Sequence, residues 1–331
     1  MRLGGLVDRF AWVTKKGGQF MDKGIHQNAG SKRSAMMFVI LMGFVSLFAD
    51  MTYEGARSIT GPFLGLLGAT GTVVGIVAGL GELIGYLLRL PSGYFCDRTG
   101  GYWIATLLGY FVNMLAVPLL ALAGRWEIAA LLIIAERMGK AIRTPGRDAM
   151  LSHATLTVGR GWGFGLHEAM DQIGAMLGPL IVAGVLYLRN SYQTSFAILL
   201  IPAMLTISVL LASRVLYPRP QDLECAVPEL ETKGFSRVYW LYLAAMALAA
   251  AGYADFPLIG FHFQKTATVS ADWIPVFYAI AMGVDAVSAL VFGRLFDRKG
   301  LSILMISMLS LFSAEMSKPD YPGGIKACPQ T

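Results

Sequence analysis

The chain has 331 residues, of which 55% are hydrophobic and only 15% charged, with a formal net charge of +6. Soluble domains carry about 25% charged residues, and no soluble fold of this length could hide so much apolar surface. Composition therefore points to an all-α polytopic membrane protein and away from a soluble enzyme or nucleic-acid-binding domain.

Residues 1–34 read as a polar tail without the long apolar core of a cleaved signal peptide. A membrane-crossing helix needs about 20 mostly apolar residues, and in chain order such segments fall at 35–56, 70–91, 102–123, 127–144, 161–188, 194–213, 237–262 and 271–292. Segments 1–6 (35–213) group as a six-helix N-terminal bundle. The stretch 214–236, "RVLYPRPQDLECAVPELETKGFS", is polar, contains three prolines and reads as a linker. A ninth segment begins near 301 but fails by about 313, so 237–313 reads as an incomplete C-terminal bundle and 314–331 as a polar tail. The expectation is about eight full spans and a partial ninth, in a truncated or frameshifted product.

Orientation follows from the basic residues. With the N-terminus in the cytoplasm, the inside loops and adjoining helix ends hold eighteen Lys and Arg. The outside loops hold four, Arg57, Arg125, Arg189 and Lys265. That asymmetry is the positive-inside signature, and the basic excess belongs to a membrane face rather than to nucleic acid. Trp103, Trp126 and Trp240 fall near segment ends, where interfacial anchors are expected.

Two short motifs break the apolar pattern. "GYFCDRTGG" follows segment 2 and "GRLFDRKG" follows segment 8, giving Gly93, Asp97, Arg98, Gly100 and again Gly293, Asp297, Arg298, Gly300. "FADMTYEG" in segment 1 is echoed by "YADFPLIG" in segment 7. Parallel six-helix repeats point to a two-bundle transporter.

These motifs and the repeat, over about residues 35 to 312, resemble the major facilitator superfamily. "ERMGKAIRTPGRDAML" (136–151) and "GFGLHEAMDQIGAMLGPL" (163–180) are similar to a poorly characterised prokaryotic branch of it, which often carries an arginine where this chain has Glu168. The resemblance implies a central cavity between segments 1, 2, 4, 5, 7 and 8, a cytoplasmic latch at the two aspartate–arginine loops, and a monomer. "GAMLGPLIVAG" (174–184) resembles the segment-5 motif of proton-coupled exporters, although Ala183–Gly184 arrives one residue late. Gly174 and Gly178 permit close helix contact, and Pro179 can kink the helix.

Ionisable residues inside apolar segments are costly and usually face a cavity or a partner. Asp50 and Glu54 share a helix face near the outer end of segment 1, and form an outer gate or sit among headgroups. Glu136 and Lys140 are spaced for an intrahelical pair; Glu136 is either the partner of Lys140 or Arg137 or a proton carrier. His167 and Asp171 are four apart in segment 5, and either carry the coupling proton or tie segment 5 to the basic face of segment 4. Asp97 and Arg98 either latch the cytoplasmic side or cap a helix and mark the inner face.

No phosphate-cradling loop ending in Lys and Ser/Thr is present, and no zinc-ligand spacing occurs. The expectation is a non-enzymatic secondary transporter without cofactor or metal. It sits in the cytoplasmic membrane, exchanges a small solute for H+ as an antiporter, and alternates access with efflux favoured. The alternatives are a chain that inserts without transporting and a membrane scaffold or sensor.

Overall fold

The structure, a computed structural model, describes residues 29–158, 160–219, 240, 244 and 255–299. Its helices are α1 (Ala29–Leu66), α2 (Gly71–Thr99), α3 (Tyr102–Leu119), α4 (Trp126–Val158), α5 (Arg160–Arg189), α6 (Tyr192–Ile198), α7 (Leu200–Leu216), α8 (Phe256–Thr266) and α9 (Trp273–Lys299). Two compact units are present, residues 1–280 and 281–331. In the second, the described residues are the last turns of α9.

Among the described residues, five stretches are long and apolar enough to cross a membrane: Lys32–Leu66, Gly71–Thr99, Tyr102–Leu122, Gly165–Arg189 and Tyr192–Leu216. The 33 residues of α4 would reach about 50 Å at 1.5 Å per residue. That helix is left out of the apolar set because Glu136, Arg137, Lys140 and Arg143 interrupt it.

Local chemistry sets the ends. Gly68 (φ +91) closes α1, with Ala69 N–H donating to Leu64 O and Gly68 N–H to Gly65 O, both at 3.0 Å; this is the glycine-closed Schellman arrangement. Thr70 caps α2 by accepting from Val73 N–H at 3.3 Å. Gly100, at φ 63, ends it with a 2.9 Å bond to Cys96 O. Ser191 caps α6 by accepting from Thr194 N–H at 3.2 Å.

Three expectations change here. The loops expected at 92–101 and 144–160 are largely helical, because α2 continues to Thr99 and α4 to Val158 through Pro145. The second motif is likewise helical to Lys299, with Gly293, Asp297 and Arg298 on α9; Gly300 lies outside the described residues. Segment 7 does not run as one helix to 262. A helix starts at Phe256, where Asp255 accepts from Phe256 N–H at 2.9 Å and Pro257 occupies the first turn. An aspartate cap followed by proline is a helix-start signal that overrides apolar continuity. The partial ninth segment and the 220–236 part of the linker fall outside the described residues.

Helix α1 is the axis of the first unit, packing against α4, α5, α7 and α8. Its core faces carry Phe38, Met42, Ile59 and Phe63, all with 0% exposure, and Phe63 meets Phe196 edge-on at 4.9 Å. Close approaches rest on glycines. A Cβ at Gly174 would strike Leu47 O, and one at Gly178 would strike the Met51 backbone. At the α3–α4 crossing, a Cβ on Gly109 would lie 2.6 Å from Gly139 O. Trp103 is not a lipid-facing anchor: it is buried against Phe38 and donates to Tyr217 O at 3.1 Å.

Candidate functional site

Polar residues on α1 recur at 46, 50 and 54, one turn apart, and each turn meets a different set of charges. Ser46 lies 2.9 Å from His167 Nε2 on α5 and accepts from Arg147 Nη1 on α4 at 3.1 Å. Arg147 also donates to Asp148 through Nε and Nη2 at 2.9 Å. This turn is a closed hydrogen-bonded set spanning three helices.

One turn further along the same helices stand Asp50, Arg143 and Asp171. The register follows from the contacts around them. Ser46 meets His167 and Met51 meets Gly178, so α1 and α5 run parallel; Arg147 meets Ser46 and Lys140 meets Glu54, so α4 runs antiparallel. Asp50 has 4% and Arg143 has 1% exposure. Asp50 Oδ1, Asp171 Oδ1, Arg143 Nε and Arg143 Nη1 are buried without a hydrogen-bond partner. Arg143 is held between the rings of Tyr110 and Tyr53, its Cζ 4.3 and 5.6 Å from their centroids. Buried polar atoms are normally satisfied; this layer gathers four that are not, two carboxylate oxygens and two guanidinium nitrogens, at one level of the bundle.

The next turn is a network of ion pairs and hydrogen bonds reaching six helices, α1, α2, α3, α4, α8 and α9. Glu54 accepts from Tyr278 Oη on α9 and lies 3.8 Å from Lys140 Nζ and 4.0 Å from Arg57 Nη1. Arg57 Nη2 bonds Glu82 on α2 at 3.1 Å and Asp255 at 2.8 Å. Arg137 joins Glu82 at 2.9 Å to Glu136 at 3.3 Å. Asn113 Nδ2 donates to the Glu136 carboxylate at 2.8 Å and to its backbone oxygen at 2.9 Å. Asp255 thus caps α8 and anchors it to α1, where Gly61 sits against Pro257 O.

Several sequence expectations are corrected by this geometry. Asp50 and Glu54 are buried mid-helix rather than among headgroups, because α1 runs ten residues beyond segment 1. Arg57 is not an outer-loop residue for the same reason. Glu136 pairs with Arg137, while Lys140 turns to Glu54 and to the Tyr53 ring at 3.9 Å. His167 bonds Ser46, which also accepts from Arg147 of α4. Gly75 and Gly79 of α2, spaced four apart like Gly174 and Gly178, face open space instead.

Asp97 and Arg98 lie exposed on the last turn of α2, where Arg98 Nη1 donates to Tyr94 Oη at 2.5 Å. A Cβ on Gly93 would lie 3.7 Å from the Pro145 side chain of α4. Sequence reading missed Ser46, Arg57, Arg147 and Tyr278 as site members. Their signal was available only as helix-face spacing to Asp50 and Glu54, since serine and tyrosine do not stand out in apolar segments.

A cavity of about 420 Å³ opens beside the first turn, lined by Arg147, Asp148, Leu151, Gly165, His167, Glu168 and Asp171. It touches the incomplete layer through Asp171. The site therefore combines a polar cavity, a buried layer with unpaired carboxylate oxygens, and a charge network linking α1 to α8 and α9.

Comparison with known proteins places this architecture. The Major Facilitator Superfamily profile matches residues 30–316. An uncharacterized protein of Mycobacterium tuberculosis is 44% identical over 280 residues, covering 82% of this chain and 68% of the relative. An uncharacterized MFS-type transporter of Methanocaldococcus jannaschii is 33% identical over 188 residues, covering 56% of this chain and 47% of the relative. Among solved structures, a bacterial homolog to the human lysosomal transporter Spinster, inward-facing and unoccupied, superposes with a TM-score of 0.60 at 14% identity. That match covers 82% of this chain but 64% of the neighbour's length. The chain is a multi-pass membrane protein and belongs to the Major Facilitator Superfamily.

Proposed function

We propose that the protein is a secondary active transporter that exchanges a small solute for protons by alternating access across the cytoplasmic membrane, with efflux as its direction. It works as a lipid-embedded monomer with the N-terminus in the cytoplasm. The observation that carries this reading is the Asp50–Arg143–Asp171 layer: two carboxylates with unpaired buried oxygens beside a polar cavity. Like charges at such a site cannot both ionise cheaply, so the pair has a use for one proton. Arg143 supplies a countercharge when that proton leaves. Glu136, held by Arg137 and Asn113, is a structural partner rather than a proton carrier.

The Glu54–Tyr278 and Arg57–Asp255 contacts tie α1 to α9 and α8. In this reading they close the outer side while the cavity beside His167 faces inward. The basic residues counted on the inner side support the orientation. Close α1–α5 packing at Gly174 and Gly178, next to Pro179, supports exchange without leak. Asp97 and Arg98, with Asp297 and Arg298, serve as cytoplasmic gating residues; the exposed position of the first pair puts both within reach of another segment.

The test is solute-dependent proton movement in proteoliposomes, read by an entrapped pH-sensitive dye across a panel of small solutes. Solute-driven proton flux that disappears in Asp171→Asn and Asp50→Asn supports the proposal. Flux persisting in both variants removes the layer from coupling. A correctly inserted chain that moves no solute favours a membrane scaffold or a non-transporting product.

A further inference from the structure

The first polar turn contains a residue with no role assigned so far, and its hydrogen-bond logic is restrictive. Ser46 is completely buried. A guanidinium can only donate, so the 3.1 Å bond from Arg147 Nη1 occupies a lone pair of Ser46 Oγ. The remaining neighbour is His167 Nε2 at 2.9 Å. If Nε2 carried the ring proton, Ser46 would accept from two cation-forming side chains, and its own buried hydrogen would have no acceptor among the described residues. If Nε2 is unprotonated, the hydroxyl donates to it and Ser46 is satisfied both as donor and as acceptor.

We infer that Ser46 is a positioning residue that holds His167 as its neutral Nδ1–H tautomer, forming an Arg147→Ser46→His167 relay across α4, α1 and α5. Protonation of His167 reverses the relay. Nε2 becomes a donor, Ser46 Oγ must accept from it, and two cations then converge on one hydroxyl. Arg147 has an alternative in Asp148, already bonded at 2.9 Å, and gives up its hold on α1. Proton uptake at the cavity wall thereby loosens the α4–α1 tether at this turn. The charged groups facing His167 are Arg143, Arg147 and Asp148 from α4, and Glu168 and Asp171 from α5 itself, while Asp50 stands one turn beyond Ser46 on α1. The tautomer assignment is independent of transport; its consequence for α4 rests on the proton-coupled reading above.

The experiment is nitrogen solid-state NMR of the full chain, labelled at histidine and reconstituted in lipid bilayers, titrated with pH. Four histidines keep the spectrum simple, and His167→Gln identifies the relevant signals. Neutral His167 is expected with a protonated Nδ1 and an unprotonated Nε2. Ser46→Ala should lose that pattern in favour of Nε2–H or a mixture and move the titration midpoint, and Ser46→Thr should restore both. An Nε2–H tautomer in the wild-type protein overturns the inference without recourse to any variant. So does a Ser46→Ala protein with unchanged tautomer and midpoint. A flux assay that fails while the tautomer is as stated would sink proton coupling but leave the relay standing.

Discussion

Replacing Gly178 by alanine sets two effects of opposite sign against each other. In a helix interior alanine is favoured over glycine by about 1 kcal/mol, which alone would stabilise α5. Against that, the added methyl is driven into the Met51 main chain of α1, with the carbonyl carbon and Cα both at 2.9 Å. Backbone cannot rotate away as a flexible side chain can, and overpacking of this kind costs about 1–3 kcal/mol. Gly79 on α2 is the internal control, because a Cβ there meets nothing within 4 Å. Gly79→Ala should therefore be neutral or stabilising. Gly178→Ala should fall below it by the steric term, about 1–3 kcal/mol. Equilibrium unfolding in mixed micelles, followed by helical circular dichroism, reads the difference directly. A Gly178→Ala protein as stable as Gly79→Ala would refute the close α1–α5 approach on which the register of the polar turns depends.

Other consequences can be checked in the same preparations. Tyr278→Phe removes the donor to Glu54 and should cost about 1–3 kcal/mol, the usual penalty for an unsatisfied buried acceptor. Arg57→Met leaves Glu82 and Asp255 without their shared cation; because both are partly exposed, we expect a loss of about 1–3 kcal/mol, between surface and buried values. The double variant Arg57→Met/Asp255→Asn should recover part of that loss, and no recovery would deny the α1–α8 tie. Asp97→Asn should leave unfolding within about 0.5 kcal/mol of wild type, as exposed substitutions do, while changing the transport rate; an unchanged rate would remove the latch role.

The membrane class, the superfamily and the first five helices were legible because they rest on composition, apolar run length and a repeated motif. Helix ends were less so. Apolar run length stops at the first polar residues, yet α2 and α4 continue through Asp97 and Arg147, since a helix can leave the apolar region without unwinding. The start of α8 was misread in the opposite direction, because Asp255 and Pro257 sit inside an apolar window and their capping chemistry was outweighed by hydropathy.

Within the site, Asp50, Glu54, Glu136, His167 and Asp171 stood out as charges in apolar segments, but their partners did not. Lys140 bypasses Glu136, four residues away on its own helix, for Glu54 on a neighbouring helix. That choice is set by the α1–α4 crossing, which itself follows from packing that no spacing rule encodes. Ser46 and Tyr278 were invisible for a simpler reason: each is ordinary in a membrane helix until a charged neighbour is known.

The central claim is that the Asp50–Arg143–Asp171 layer holds a transferable proton. Infrared difference spectroscopy of the bilayer-embedded chain across a pH titration tests it without knowledge of the solute. A protonated-carboxyl band is expected that vanishes as pH rises and is altered or lost in both Asp50→Asn and Asp171→Asn. A band that persists unchanged in both variants, or no titrating carboxyl in the wild-type protein, would contradict it.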